Sequence, residues 1–214
     1  MLNKLNREYF SRSISLIWEI LLISLPVVSF LVFPWLLPYR TLYILFSFAY
    51  IYLFFQTTKI SLLDGLKITR INLKKSVVWA LAYTAFSVLI LLFFLLFYPE
   101  VKNLSLILPD LNNLPFSIFI LLYVFISVPL QELIFRGFFI TRLKLIFSDV
   151  RIVVFLSALF FMLAHAAFGQ LIILPFAFVF GILLGLIMIK TENIIGPAIY
   201  HALTGVSAFL LIVV

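Results

Sequence analysis

The chain has 214 residues, of which 65% are hydrophobic and only 11% are charged, and it has no cysteine. Soluble globular chains are nearer half apolar and a quarter charged, so this composition predicts a membrane protein. The missing cysteine excludes disulfides, zinc–cysteine sites and thiol nucleophiles. The net charge of +7 fits basic cytoplasmic loops better than a nucleic-acid surface, so no nucleic-acid partner is expected.

Seven apolar runs in chain order predict an all-α polytopic protein with about seven transmembrane helices. Each run is continuous over about 20 residues, as in a helical span, whereas barrel strands alternate over about 10 residues. The second run is short, and the fourth is long enough to protrude or to bend at Pro129. The predicted spans are Ile14–Leu37, Thr41–Gln56, Ser76–Tyr98, Pro115–Phe147, Ile152–Phe168, Leu171–Ile189 and Ile194–Val214.

The basic residues predict the orientation of these spans. If the N-terminus is inside, only Arg40 and Lys102 fall in outer loops, and Arg136 lies within a span. Lys and Arg concentrate on the cytoplasmic side of membrane proteins, so an inside N-terminus and an outside C-terminus are expected. The remaining basic residues, all in inner segments, are Lys4, Arg7, Arg12, Lys59, Lys67, Arg70, Lys74, Lys75, Arg142, Lys144, Arg151 and Lys190.

The inner segment Lys59–Lys75 mixes basic with apolar residues. Such a pattern is typical of an amphipathic segment on the inner membrane surface, and an ordinary basic loop is the alternative.

A few polar side chains lie inside the predicted spans, where a charge costs roughly 2.5–3.5 kcal/mol. They are Glu19, Glu132, Arg136, His165 and His201, which include both histidines of the chain. Glu132 and Arg136 are four residues apart on one helical face, with the acid first, which is the favourable order for an ion pair. The role of Glu19 stays open between a protonated carboxyl and a carboxylate that faces the polar cavity.

The depths of these residues suggest one shared site. At a rise of 1.5 Å per residue, His165 lies about 20 Å and His201 about 12 Å from the inner boundary. Glu132 lies about 18 Å from that boundary by the same rule. A lone buried histidine is usually structural, but two histidines, a carboxylate and an arginine at similar depth indicate a functional site. Gly181 and Gly185 additionally predict a close helix–helix approach.

The order of these residues resembles the motifs of the CPBP family of intramembrane proteases, also called the Abi or CAAX-protease type. The family pattern is E-E-x-x-x-R, then F-x-x-x-H, a glycine-spaced helix, and H-x-x-x-N or H-x-x-x-D. The resemblance covers roughly Phe116–Phe209. The chain reads Q-E-x-x-x-R over Gln131–Arg136, F-x-x-x-H over Phe161–His165 and H-x-x-x-G over His201–Gly205.

The resemblance implies a peptidase that works within the membrane, with residues 1–114 forming N-terminal helices and a basic loop and residues 115–214 forming the family core. In the family, the first glutamate and the F-x-x-x-H histidine are thought to activate water. The last histidine and its Asn or Asp are thought to stabilise the oxyanion, and the second glutamate and the arginine are more structural. The candidate catalytic residues are Glu132, His165 and His201, supported by Gln131, Arg136, Phe161 and Gly205.

Two positions depart from the family pattern. Gln131 replaces the first glutamate, and an amide cannot act as a general base. Gly205 replaces the Asn or Asp, and one lost oxyanion donor typically costs about 100- to 1000-fold in rate. Glu132 could act as the base instead, although Arg136 would weaken it in that role.

These departures leave two hypotheses open. One is an active endopeptidase that processes or binds a membrane-associated peptide. The other is a catalytically degenerate member that acts as a scaffold or a bacteriocin-immunity protein. No cofactor is predicted, although Glu132, His165 and His201 could together hold a divalent metal. Membrane lipid and a membrane-associated peptide or protein are the expected partners, and a bacterial cytoplasmic membrane is the expected location.

Overall fold

Six helices are present in the computed structural model, which describes residues 33, 40–58, 66–97, 115–166 and 173–213. No strand occurs within these ranges. The helices are α1 (Arg40–Thr58), α2 (Leu73–Phe97), α3 (Phe116–Lys144), α4 (Val150–Ala166), α5 (Ile173–Thr191) and α6 (Ile195–Val213).

These helices match six of the predicted spans to within a few residues, which confirms the all-α polytopic prediction. Helices α2, α3 and α5 are long and apolar enough to cross a membrane. The apolar parts of α4 (Val150–His165) and α6 (Ile195–Leu211) are shorter. The first predicted span, Ile14–Leu37, and Glu19 within it lie outside the described part of the chain, apart from the exposed Phe33.

Helix α3 is the central element of the described bundle. Helix α4 packs along α5, and α6 packs along α2, while α3 contacts both pairs. Every residue from Phe135 to Ile140 is buried, so this part of α3 is covered on all sides. Helix α1 reaches it through Tyr50 and Phe55, whose rings meet the Phe138 ring edge-on at 6.0 and 6.3 Å between centroids.

Two wide turns of π-helix interrupt α3, over Tyr123–Ser127 and Leu133–Phe139. The first ends where the Val128 N–H donates to the Tyr123 carbonyl, directly before Pro129. A proline ring clashes with the carbonyl four residues earlier in a regular α-helix, and a widened turn relieves that clash. The irregularity expected near Pro129 is therefore a π turn. Each π turn contains one residue more than a regular α-helical turn, so the side chains after it point in a different direction.

The close helix approach predicted from Gly181 and Gly185 occurs between α5 and α4. A Cβ added at Gly181 would lie 3.0 Å from the Cα of Ala158, and one at Gly185 would lie 3.1 Å from Val154. Ala158, mainly through its backbone, and the Val154 side chain therefore fill the space that side chains on α5 would need.

Substituting Gly181→Val should destabilise the protein by about 1–3 kcal/mol, because the added methyl groups meet the backbone of Ala158 rather than a flexible side chain. Thermal unfolding in detergent measures the effect. The matched control is Val179→Leu, which adds bulk to an exposed position of the same helix and should leave the midpoint unchanged. Equal midpoints for both variants would contradict the close-approach explanation.

The segments predicted to face the cytoplasm meet at one end of the bundle. Asn193, buried in the α5–α6 turn, donates from Nδ2 to the carbonyls of Thr69 (2.6 Å) and Ile71 (2.9 Å). Its Oδ1 accepts from the Ile195 N–H at 2.9 Å and so caps α6. The segment 66–72 is thus a packed set of turns, while residues 59–65 lie outside the described ranges.

The same end of the bundle carries exposed apolar side chains and charged side chains, and both kinds suit a membrane surface. Ile68 and Ile71 are exposed, and Glu192 pairs with Lys67 (3.6 Å) and Lys144 (3.4 Å). Lys67 and Lys144 lower the pKa of the Glu192 carboxyl. Three segments distant in sequence are therefore joined at this end by ion pairs and by Asn193.

Candidate active site

Glu132 of α3 and His201 of α6 form the centre of the site. Their side chains are almost completely buried, and His201 Nδ1 lies 2.7 Å from Glu132 Oε1. A carboxylate can only accept a hydrogen bond, so the ring proton is assigned to Nδ1 and is donated to Glu132. The sequence placed these two residues at similar depth, and packing of α6 against α3 brings them into contact.

Arg136 neutralises the charge of Glu132. Its Nη1 donates to Glu132 Oε1 at 3.3 Å, one helical turn along α3, and its side chain is fully buried. Its Nη2 donates to the Gly181 carbonyl at 3.3 Å. The expected ion pair is therefore present, and Arg136 also ties α3 to α5 through the Gly181 carbonyl.

The two carboxylate oxygens of Glu132 differ in their hydrogen-bond partners. Oε1 accepts from both Arg136 and His201, whereas Oε2 is buried without a hydrogen-bond partner among the described residues. A buried polar atom without a partner costs about 1–3 kcal/mol, and such atoms in native structures call for an explanation. Glu132 is thus held through Oε1 alone among the described residues.

Phe161 connects the remaining members of the site. Its ring is fully buried and lies 4.3 Å from the His165 ring and 5.5 Å from the His201 ring, between centroids. The Arg136 guanidinium carbon stands 4.2 Å from its centroid, within the range of a cation–π contact. The phenylalanine of the F-x-x-x-H motif is therefore the packing centre of the site.

His165 enters the site from α4. Its Nδ1 lies 2.8 Å from the Phe161 carbonyl, to which it donates, and its ring packs on Phe161. Within the described ranges, no group of three His, Asp or Glu side chains is placed to hold a metal ion. The hypothetical metal ligands Glu132, His165 and His201 are therefore not arranged as a ligand set, and no step is assigned to a metal.

The two departures from the family pattern have different surroundings. Gln131 is half-buried, and its Nε2 donates to Ser127 Oγ one turn earlier on α3, at 2.9 Å. A Cβ added at Gly205 would overlap the Tyr123 hydroxyl and would lie 2.6 Å from Tyr123 Cζ. Gln131 thus turns toward its own helix, and Gly205 is covered by a tyrosine.

Tyr123 and Ser157 contribute to the site although no motif pointed to them, and Phe180 contributes from the start of the glycine-spaced region. The Tyr123 and Phe180 rings meet His201 edge-on, at 6.0 and 5.2 Å between centroids. Ser157 Oγ donates to the Phe135 carbonyl at 3.0 Å and ties α4 to α3. Aromatic residues are so frequent in this chain, with 26 phenylalanines, that the sequence offers no signal to separate these from lipid-facing ones.

Comparison with known proteins adds one match. Residues 113–207 match the family model described as type II CAAX prenyl endopeptidase Rce1-like. The matched region contains every residue of the site described above. A search of curated proteins and a search of solved structures each found no match. The resemblance predicted from the motifs is thus confirmed over residues 113–207, and the chain is a membrane protein similar to the CAAX proteases of the CPBP family.

Proposed function

We propose that the protein is an intramembrane endopeptidase that hydrolyses a membrane-associated peptide, with Glu132 and His201 acting as one catalytic pair. The observation that supports this most strongly is the 2.7 Å hydrogen bond from His201 Nδ1 to the buried Glu132 carboxylate. Carboxylate–histidine pairs of this kind fix the tautomer of the imidazole and stabilise it once it is protonated.

His201 is the base in this proposal. Because Nδ1 carries the proton donated to Glu132, Nε2 has the free electron pair that accepts a proton from water. The resulting hydroxide adds to the peptide carbonyl carbon, and the carbonyl oxygen takes the negative charge. The proton on Nε2 then passes to the leaving nitrogen as the C–N bond breaks, which gives a carboxylic acid and an amine and restores the enzyme.

Glu132 and Arg136 support that base rather than replace it. Arg136 holds Glu132 Oε1 and balances its charge, so Glu132 is better suited to stabilise an imidazolium than to accept the proton from water. His165 is assigned to positioning the substrate or the water, since its ring packs on the Phe161 ring, which also contacts His201. In this scheme Gln131 takes no part in proton transfer.

The substrate and setting follow from the membrane character of the chain. A site buried among apolar helices favours a peptide that is itself anchored in or on the membrane, with lipid as the surrounding partner. The basic end formed by Lys67, Lys144 and the neighbouring turns suits the cytoplasmic face of a bacterial cytoplasmic membrane. Nothing in this arrangement calls for nucleic acid.

A non-enzymatic role is the second candidate, and the surroundings of Gln131 and Gly205 favour it. Gln131 bonds to Ser127 on its own helix, and Gly205 offers no side chain to a substrate. A protein that keeps the fold while binding or shielding a membrane partner, as in bacteriocin immunity, would need neither group.

Cleavage by the purified protein in lipid vesicles distinguishes the two candidates. A library of quenched fluorescent peptides carrying a prenyl or acyl anchor serves as the substrate, and mass spectrometry identifies the cut bond. Cleavage by the wild type that disappears in His201→Ala, with helicity and melting temperature retained, is expected. If a folded wild type cleaves no member of the library, and His201→Ala protects cells as well as wild type in a bacteriocin-sensitivity assay, the endopeptidase proposal is wrong.

A further inference from the structure

Tyr123 occupies the space that belongs to the side chain of residue 205. A Cβ built at Gly205 would overlap the Tyr123 hydroxyl and lie 2.6 and 2.8 Å from Cζ and Cε1 of the same ring. No rotation of a side chain at 205 relieves an overlap with its own Cβ. Any residue other than glycine at 205 would therefore force the Tyr123 ring to move while both helices keep their positions.

The proposed reaction needs a hydrogen-bond donor beside His201 for the substrate carbonyl oxygen. His201 in its neutral form has one ring N–H, which is already donated to Glu132. Gly205 has no side chain that could donate. The charge that develops on the substrate carbonyl oxygen therefore has to be met by another group beside His201.

The Tyr123 hydroxyl fits that requirement. Its ring lies against the His201 ring, and its hydroxyl donates only a long bond of 3.4 Å to the His201 carbonyl. Hydroxyl donors prefer 2.5–3.0 Å, so this bond is weak and can be exchanged for a stronger one to an anionic oxygen. Tyr123 is also the first residue of the π turn that precedes Pro129, which fixes where its side chain points.

We propose that the Tyr123 hydroxyl is the oxyanion donor of this protein, taking the place of a side chain at position 205. This inference rests on the proposed endopeptidase function. It makes Tyr123 a catalytic residue, because its hydroxyl contacts the reacting carbonyl oxygen. It also gives the glycine at 205 a physical reason, since a Cβ there would displace the phenol from its position.

The test is Tyr123→Phe, which removes the hydroxyl and keeps the ring that packs on His201. We expect kcat to fall about 100- to 1000-fold, with KM and the melting temperature close to those of wild type. Tyr200→Phe is the matched control, since it removes a buried hydroxyl that bonds to Ser87 Oγ at 2.7 Å on the α2 side of α6. That control should keep the wild-type kcat.

A residue swap tests the same idea in the opposite direction. Gly205→Asn alone should reduce the yield of folded protein, because the new side chain overlaps Tyr123. Tyr123→Ala should fold and be slow, and Tyr123→Ala combined with Gly205→Asn should regain at least about tenfold in kcat, since an amide donor returns to the site.

The outcomes separate this inference from the function on which it rests. An inactive wild type overturns both. An active wild type with full kcat in Tyr123→Phe overturns the role of Tyr123 and leaves the peptidase intact. An equal loss of kcat in Tyr123→Phe and Tyr200→Phe would also overturn it, because the loss would then reflect buried hydroxyls in general.

Discussion

Glu132→Gln should lower kcat of the folded protein by about 10,000-fold, by analogy with the loss of the orienting carboxylate in other carboxylate–histidine pairs. It should also lower stability, because Arg136 stays buried without its counter-charge. The side chain keeps its size, but the amide cannot stabilise a protonated His201, and its NH₂ group favours the wrong tautomer. Steady-state cleavage in vesicles measures the loss, and circular dichroism confirms that the helices are retained.

The matched control is Glu192→Gln. Glu192 lies at the basic end of the bundle, more than half exposed and paired with Lys67 and Lys144. Exposed ion pairs contribute about 0–1 kcal/mol, so this variant should cleave like wild type and lose little stability. A Glu132→Gln variant that cleaves as well as the control would mean that Glu132 is structural.

Arg136→Met should destabilise the protein by about 3–5 kcal/mol, the usual cost of leaving one member of a buried ion pair without its partner. Glu132 would then remain buried with only His201 to compensate its charge. The variant also loses the bond to the Gly181 carbonyl and the contact with the Phe161 ring. Unfolding by heat or denaturant in detergent gives the change, and a large fall in yield is expected.

The double variant Arg136→Met with Glu132→Met should recover most of that stability, because a buried ion pair replaced by apolar side chains of similar volume is often neutral or stabilising. Recovery should stop short of the wild type, since the cation–π contact with Phe161 remains lost. A double variant as unstable as the single one would show that packing of the guanidinium, rather than charge balance, holds α3 in place. Cleavage should be absent in both.

Local features of this protein could be predicted from the order of its residues. The composition predicts the membrane class, and the apolar runs predict helices α1 to α6 to within a few residues. The Glu132–Arg136 pair follows from four-residue spacing on one helix, and the close approach of α5 to a neighbouring helix follows from Gly181 and Gly185. These features depend on periodicity and on neighbours along the chain, which helix geometry converts directly into distance.

Contacts between helices could not be read in the same way. The sequence indicates that Gln131 and Gly205 depart from the family pattern, but only packing shows that Gln131 bonds to Ser127 and that Tyr123 covers Gly205. It places Glu132, His165 and His201 at similar depth, yet the structure pairs the first with His201 and sets Phe161 beside both histidines. The depth of a residue in the membrane is only one of its three coordinates. The rotation and lateral position of its helix are set by contacts with side chains distant in sequence.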